Sequence, residues 1–100
     1  MHKQFRRLLI YKQLQKTVMN KTAELKKIAS QVRRDIVRMV HAQSSGHPGG
    51  SLGCTDFMTA LYFEIMNHNP ENFDMDGIGE DIFILSNGHI SPVFYSVLAR

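Results

Sequence analysis

Asp81-Ile82-Phe83-Ile84-Leu85-Ser86-Asn87-Gly88-His89-Ile90-Ser91-Pro92 is the stretch whose reading decides the fold. Ile82 to Leu85 form a short continuous apolar run, which predicts a buried parallel strand. Ser86 to His89 predict a turn. Ser91-Pro92 opens a helix, with serine at the cap and proline at the first position, where its missing N–H costs nothing. In open α/β sheets ligands sit beyond the carboxyl ends of the strands. The next helix offers free N–H groups and a positive dipole end there, which suits a phosphate. His89 lies in this turn and can donate to an anion. On position alone the competing reading is a plain strand-to-helix turn whose histidine meets solvent. The expected class is therefore α/β: the start of a parallel-sheet domain, mostly helical over this length, with one strand near 82–85.

Working outward, residues 67–81 form a polar connection, from Asn67-His68-Asn69-Pro70 to Gly79-Glu80-Asp81. Before it, a helix is predicted from about Thr55, with Thr55 as cap and Asp56 at the positive end of the dipole. Its expected buried stripe is Phe57, Ala60, Leu61 and Ile65, widened by Met58, Tyr62 and Phe63. Gly46-His47-Pro48-Gly49-Gly50-Ser51-Leu52-Gly53 reads as an irregular glycine-rich loop. His47 in it is a candidate hydrogen-bond donor or proton shuttle. The loop lacks the Gly-Lys-Ser/Thr ending of a phosphate loop, and without further information it reads as a surface turn.

Residues 22–43 predict an amphipathic helix, because Leu25, Ile28, Ala29, Val32, Ile36, Met39 and Val40 recur at spacings of three and four. Asn20 or Thr22 is the expected start cap, and Ser44-Ser45-Gly46 the expected stop. Residues 1–18 contain no acid. Phe5, Leu8, Leu9 and Tyr11 predict a short apolar stripe on a basic helix there. Three readings compete for residues 1–21: a surface helix for membrane or nucleic acid, a targeting peptide without the usual serines, and an upstream extension with Met19 as the natural start. The last is preferred, and places the domain at 22–100.

The chain has 100 residues, room for one small domain, and 43% hydrophobic residues argue against disorder. The net charge of +3 hides a split. Residues 1–40 carry eleven lysines and arginines against Glu24 and Asp35, a balance of +9; residues 41–100 carry seven acids against Arg100, a balance of −6. Cys54 is the single cysteine, which excludes an internal disulfide and is compatible with a reducing cytoplasm. His41, His47, Cys54, His68 and His89 match no zinc spacing, so no metal site is expected from them. Cys54 reads as a small buried apolar group in preference to a nucleophile. There is no internal repeat.

Taken together, Ser45-Gly46-His47-Pro48-Gly49-Gly50-Ser51-Leu52-Gly53 and Asn69-Pro70 followed by Asp81 to His89 resemble the two N-terminal signatures of the transketolases, at the usual distance. The helix Ile28 to Val40 resembles the family's first helix, and the resemblance covers about residues 23–100. Related 1-deoxyxylulose-phosphate synthases usually lack the proline after the first histidine and differ around the second, so Pro48 and Ser86-Asn87 favour transketolase. The resemblance implies transfer of a two-carbon ketol unit from a ketose phosphate to an aldose phosphate, with thiamine diphosphate as cofactor. It implies that His47 is catalytic, donating to developing negative charge on the substrate. It implies that His89, Gly50 and Gly88 bind the cofactor, His89 near the diphosphate and Gly50 beside the ring.

The family's Gly-Asp-Gly stretch, its downstream asparagine and its activating glutamate are absent, since Asp76-Gly77 precedes the strand. The implied picture is a truncated section or the start of a split enzyme's N-terminal subunit, inactive alone, with the magnesium ligands downstream. The implied partners are sugar phosphates and a C-terminal transketolase section or subunit, in a cytoplasmic homo-oligomer, with no membrane. The second function class is a non-catalytic module that binds nucleic acid or anionic membrane through the basic arm. It ranks below the first, because the arm offers no stacking platform beyond Phe5 and Tyr11.

Overall fold

The computed structural model describes residues 2–100. One long helix, α1 (His2–Gln43), carries the rest of the chain on the inner face of its C-terminal half. Three short helices follow: α2 (Pro48–Gly53), α3 (Thr55–Ala60), which continues as a π-helical turn (Leu61–Ile65), and α4 (Ser91–Ala99). The molecule measures 64 × 32 × 21 Å, because the first half of α1 stands clear of the body.

The 3.6-residue pattern of α1 places its buried residues as the spacing predicts: Ala29, Val32 and Ile36 are buried, and Leu25, Ile28, Met39 and Val40 are half-buried. Val32 and Ile36, with Ile28 against them, pack with Met58 of α3 and with Val93 and Val97 of α4 in one small core. Tyr62, Phe83 and Phe94 flank it, with ring centroids 5.6–6.3 Å apart. Asn20 and Thr22 do not begin a helix. The Thr22 hydroxyl donates to the Val18 carbonyl at 3.0 Å, and the helix runs through. The stop falls where expected: Ser44 has φ 52° and Gly46 φ 105°, both left-handed.

Three other expectations are corrected. The glycine-rich segment is not irregular throughout. Pro48 starts α2 at a position that has no use for its N–H, and the turn then closes through Gly53. Thr55 is not a cap. It is buried, and its hydroxyl donates to the Ser51 carbonyl at 3.0 Å, while Cys54 takes the cap position. The α3 stripe is rotated as a result: Thr55, Met58 and Thr59 are buried, whereas Phe57 and Ile65 face solvent.

The strand expected at 82–85 is also corrected. The described residues contain no strand, and residues 81–87 belong to no regular element. A lone extended segment has no neighbour to satisfy its ladder of N–H and C=O groups, so it cannot register as sheet. The segment still alternates with a period of two. Phe83 and Leu85 turn toward the body, and Ile82 and Ile84 are 74% and 82% exposed. The connection before it is pinned at its two ends. The Asn67 N–H donates to Asp81 at 2.7 Å, the Asp81 N–H donates back to the Asn67 carbonyl at 2.7 Å, and the Asn69 N–H donates to Glu80 at 2.7 Å.

Asp35 ties α1 to α4. It accepts from the Ser96 hydroxyl at 2.8 Å and from the Arg100 guanidinium at 2.9 and 3.0 Å. Burial pushes its carboxyl up, but the hydrogen bonds from Ser96, Arg100 and Gln31 outweigh that and hold it below its ordinary 3.8. A depressed carboxylate stabilises the fold above its unfolded-state value and loses that contribution as pH falls through the folded one. Asp35→Asn should therefore lower the urea midpoint at neutral pH. It should also flatten the acid limb of the stability curve below about pH 4. An unchanged acid limb would contradict this account.

Candidate functional site

The two histidines singled out by the sequence come from different elements and meet. His47 precedes α2, immediately after Gly46, whose φ of 105° turns the chain out of α1. His89 sits in a single 3-10 turn, Gly88–Ile90, that leads into α4. The Asn87 side chain accepts from the His89 N–H at 3.2 Å and so sets the entry to that turn. The ring centroids of His47 and His89 are 6.2 Å apart and meet edge to face at 67°.

Both rings are exposed and line one cleft of about 570 Å³ between the end of α1 and the start of α4. Gly88, Ser91 and Pro92 form its other wall, so the N-terminus of α4 opens into it. No acidic side chain lines the cleft. A helix N-terminus, two imidazoles and no carboxylate make a surface that receives an anion without repelling it.

Gly88 lines the cleft, and a Cβ there would meet nothing within 4 Å. Gly50 does not line it. A Cβ on Gly50 would come within 3.1 Å of Cγ2 of Ile90, so the missing side chain lets α2 close on the residue after His89. Tyr95 and Gln43 line the cleft and were not singled out from the sequence. Tyr95 lies three and four residues after Pro92 and Ser91, and helical spacing from those two would have found it. His41, Cys54 and His68 do not join the pair. His68 Nε2 lies 2.6 Å from the Tyr62 carbonyl on the far side of α3, and Cys54 is half-buried between α2 and α3. Among the described residues no three His, Cys, Asp or Glu gather into a metal-binding group. No helix of the described residues is long and apolar enough to cross a membrane.

The family profile described as "Transketolase, thiamine diphosphate binding domain" matches residues 24–99, which include both histidine loops and the whole body packed on α1. The chain belongs to the transketolase family. It is 40% identical over 73 residues to Transketolase 1 of Aliivibrio fischeri, 40% to the transketolase of Buchnera aphidicola and 37% to Transketolase 1 of Escherichia coli. Each match covers 73% of this chain and 11% of the relative, so the chain spans about a ninth of the length of the curated relatives it matches.

Proposed function

We propose that this chain forms the diphosphate side of a thiamine diphosphate site in a cytoplasmic transketolase that moves a two-carbon ketol unit from a ketose phosphate to an aldose phosphate. The observation that carries the reading is the meeting of His47 and His89 across one acid-free cleft at the N-terminus of α4. The residues present fit an anionic cofactor arm. His89 donates to the diphosphate, the positive dipole end of α4 faces it, and Gly88 leaves the approach open. They do not supply a magnesium set, whose ligands belong to further polypeptide, as does the C-terminal section or subunit that completes the site.

When bound, the thiamine ring supplies the electron sink for breaking the carbon–carbon bond. The chain's own work is positioning and proton handling. His47, held by Gly46 and by the start of α2, donates a hydrogen bond to the substrate oxygen on which negative charge grows. Gly50 acts from behind, seating Ile90 and with it the His89 turn. The segment 82–85, with Ile82 and Ile84 facing outward, is in this reading the first strand of a parallel sheet whose other strands lie in the remaining length of the family. Assembly into a homo-oligomer belongs to the same reading.

The test is calorimetric titration of thiamine diphosphate and magnesium into a complete transketolase polypeptide that carries this segment. His89→Ala is expected to weaken cofactor binding by about tenfold to a hundredfold, the value of one hydrogen bond to a charged group. Binding unchanged in His89→Ala would remove His89 from the site.

A further inference from the structure

The first half of α1 poses a physical problem of its own. It is helical, yet from His2 to Lys21 every residue is exposed. An exposed helix of that length is marginal in water, because most helical stability in proteins comes from packing one face. The charges add to the difficulty. Lys3 and Arg7, and Lys12 and Lys16, are like-charge pairs four residues apart, which destabilise a helix. No acid precedes Glu24 to offset them. Lys21 pairs with Glu64 at 2.8 Å, but Lys3, Arg6, Arg7, Lys12 and Lys16 make no ion pair among the described residues. Five neighbouring cations without a counter-charge form a field that attracts a polyanion.

The placement of the cations selects the kind of polyanion. A helix turns once in about 3.6 residues, so residues nine apart project from opposite sides. Lys3 and Lys12 are nine apart, and so are Arg7 and Lys16. Between these two cationic edges runs a polar line of Arg6, Gln13 and Asn20, spaced by seven. The major groove of B-form DNA has phosphates on both walls and base edges on its floor. It is about 12 Å wide and admits one α-helix. From Lys3 to Lys16 the arm rises about 20 Å, the length of about six base pairs. The arm stands clear of the body along this length, so nothing in its own chain blocks the approach.

We infer that the first half of α1 binds duplex DNA by lying in its major groove. Lys3 and Arg7 reach the phosphates of one wall, and Lys12 and Lys16 those of the other. Arg6, Gln13 and Asn20 face the floor, and all three are side-chain types that pair with purine edges. The scarcity of aromatic rings, Phe5 and Tyr11 alone, tells against single strands but not against duplex, where phosphate contacts dominate. A lipid surface fits less well. Gln4 and Gln15 lie in the middle of the one charge-free side, and Leu9 and Ile10 lie among the cations, so the helix offers no continuous apolar face to immerse. The inference is independent of the cofactor reading.

Fluorescence anisotropy of a labelled DNA duplex of about 20 base pairs, titrated with the full chain, tests it. Micromolar affinity is expected at about 50 mM salt, falling with a log–log salt slope of about −4, since four wall cations each release a counterion. Lys12→Gln with Lys16→Gln should weaken binding at least about tenfold and bring the slope to about −2. Glutamine forms helix about as well as lysine, so the arm keeps its shape. Lys27→Gln with Arg38→Gln removes the same charge from exposed positions in the other half of α1, and should leave affinity within about twofold of the parent. Four results would overturn the inference. They are no binding up to about 100 μM at that salt, equal losses in the two double variants, tighter retention on phosphatidylserine vesicles than on the duplex, or equal affinity for duplex RNA, whose major groove is too narrow for a helix.

Discussion

Val32→Asp is expected to unfold the body of the chain. Val32 is fully buried between α1, α3 and α4, one of the five buried members of the core cluster among the described residues. An ionised carboxylate there would sit among apolar side chains, and Arg33 and Arg100 are already engaged at the surface with Asp56 and Asp35. Burying an unpaired charge costs several kcal/mol. A domain of this size buries a small share of its surface and has roughly 5 kcal/mol to lose. Val37→Asp on the same helix is the control, since Val37 is 52% exposed and points away from the core. It should shift the urea midpoint little. Circular dichroism in increasing urea distinguishes the two, and a cooperative transition in Val32→Asp like that of Val37→Asp would show that the core is not where the packing places it.

How much of this was legible beforehand depended on whether an element could be decided by its own residues. The α1 face from Leu25 to Val40 was legible because a 3.6-residue period over about four turns needs no tertiary information. The meeting of His47 and His89 was not contained in either loop. Each alone reads as a surface turn, and only the resemblance brought them together in advance. The rotation of α3 was hidden for a definite reason. Cys54 (φ −91°, ψ 0°) interrupts the helix between Gly53 and Thr55, and the Thr55 hydroxyl bonds back to Ser51, which makes a buried residue of one that looks like a cap. Hydroxyls that bond their own backbone escape a hydrophobicity count. Ile82 to Leu85 failed in the other direction. Their composition is that of a strand, and the alternation of exposure along them is that of a strand, but a sheet is a property of several segments and the described residues contain one. The length of α1 was underread because Asn20 and Thr22 look like caps, and their capping tendency loses to a helix already propagating through them.

His47→Ala should separate the two roles that the cleft assigns to its histidines. In a complete transketolase polypeptide carrying this segment, cofactor affinity is expected to stay within about threefold of the parent, because the diphosphate side belongs to His89 and the α4 N-terminus. The turnover number should fall by about a hundredfold to a thousandfold, the usual cost of removing one preorganised donor from a developing oxyanion. KM for the sugar phosphate should move much less, since the lost bond strengthens only as charge develops. The geometry gives the reason for the split. The rings are 6.2 Å apart, close enough to serve one bound molecule and too far to share a proton directly. Gly46, at φ 105°, fixes the direction in which His47 leaves α1, so the donor is held by backbone and does not depend on a flexible loop. A His47→Ala enzyme that loses cofactor binding and retains turnover at saturating cofactor would reverse the assignment. It would make the loop after α1 the diphosphate anchor and leave the turn before α4 to face the substrate.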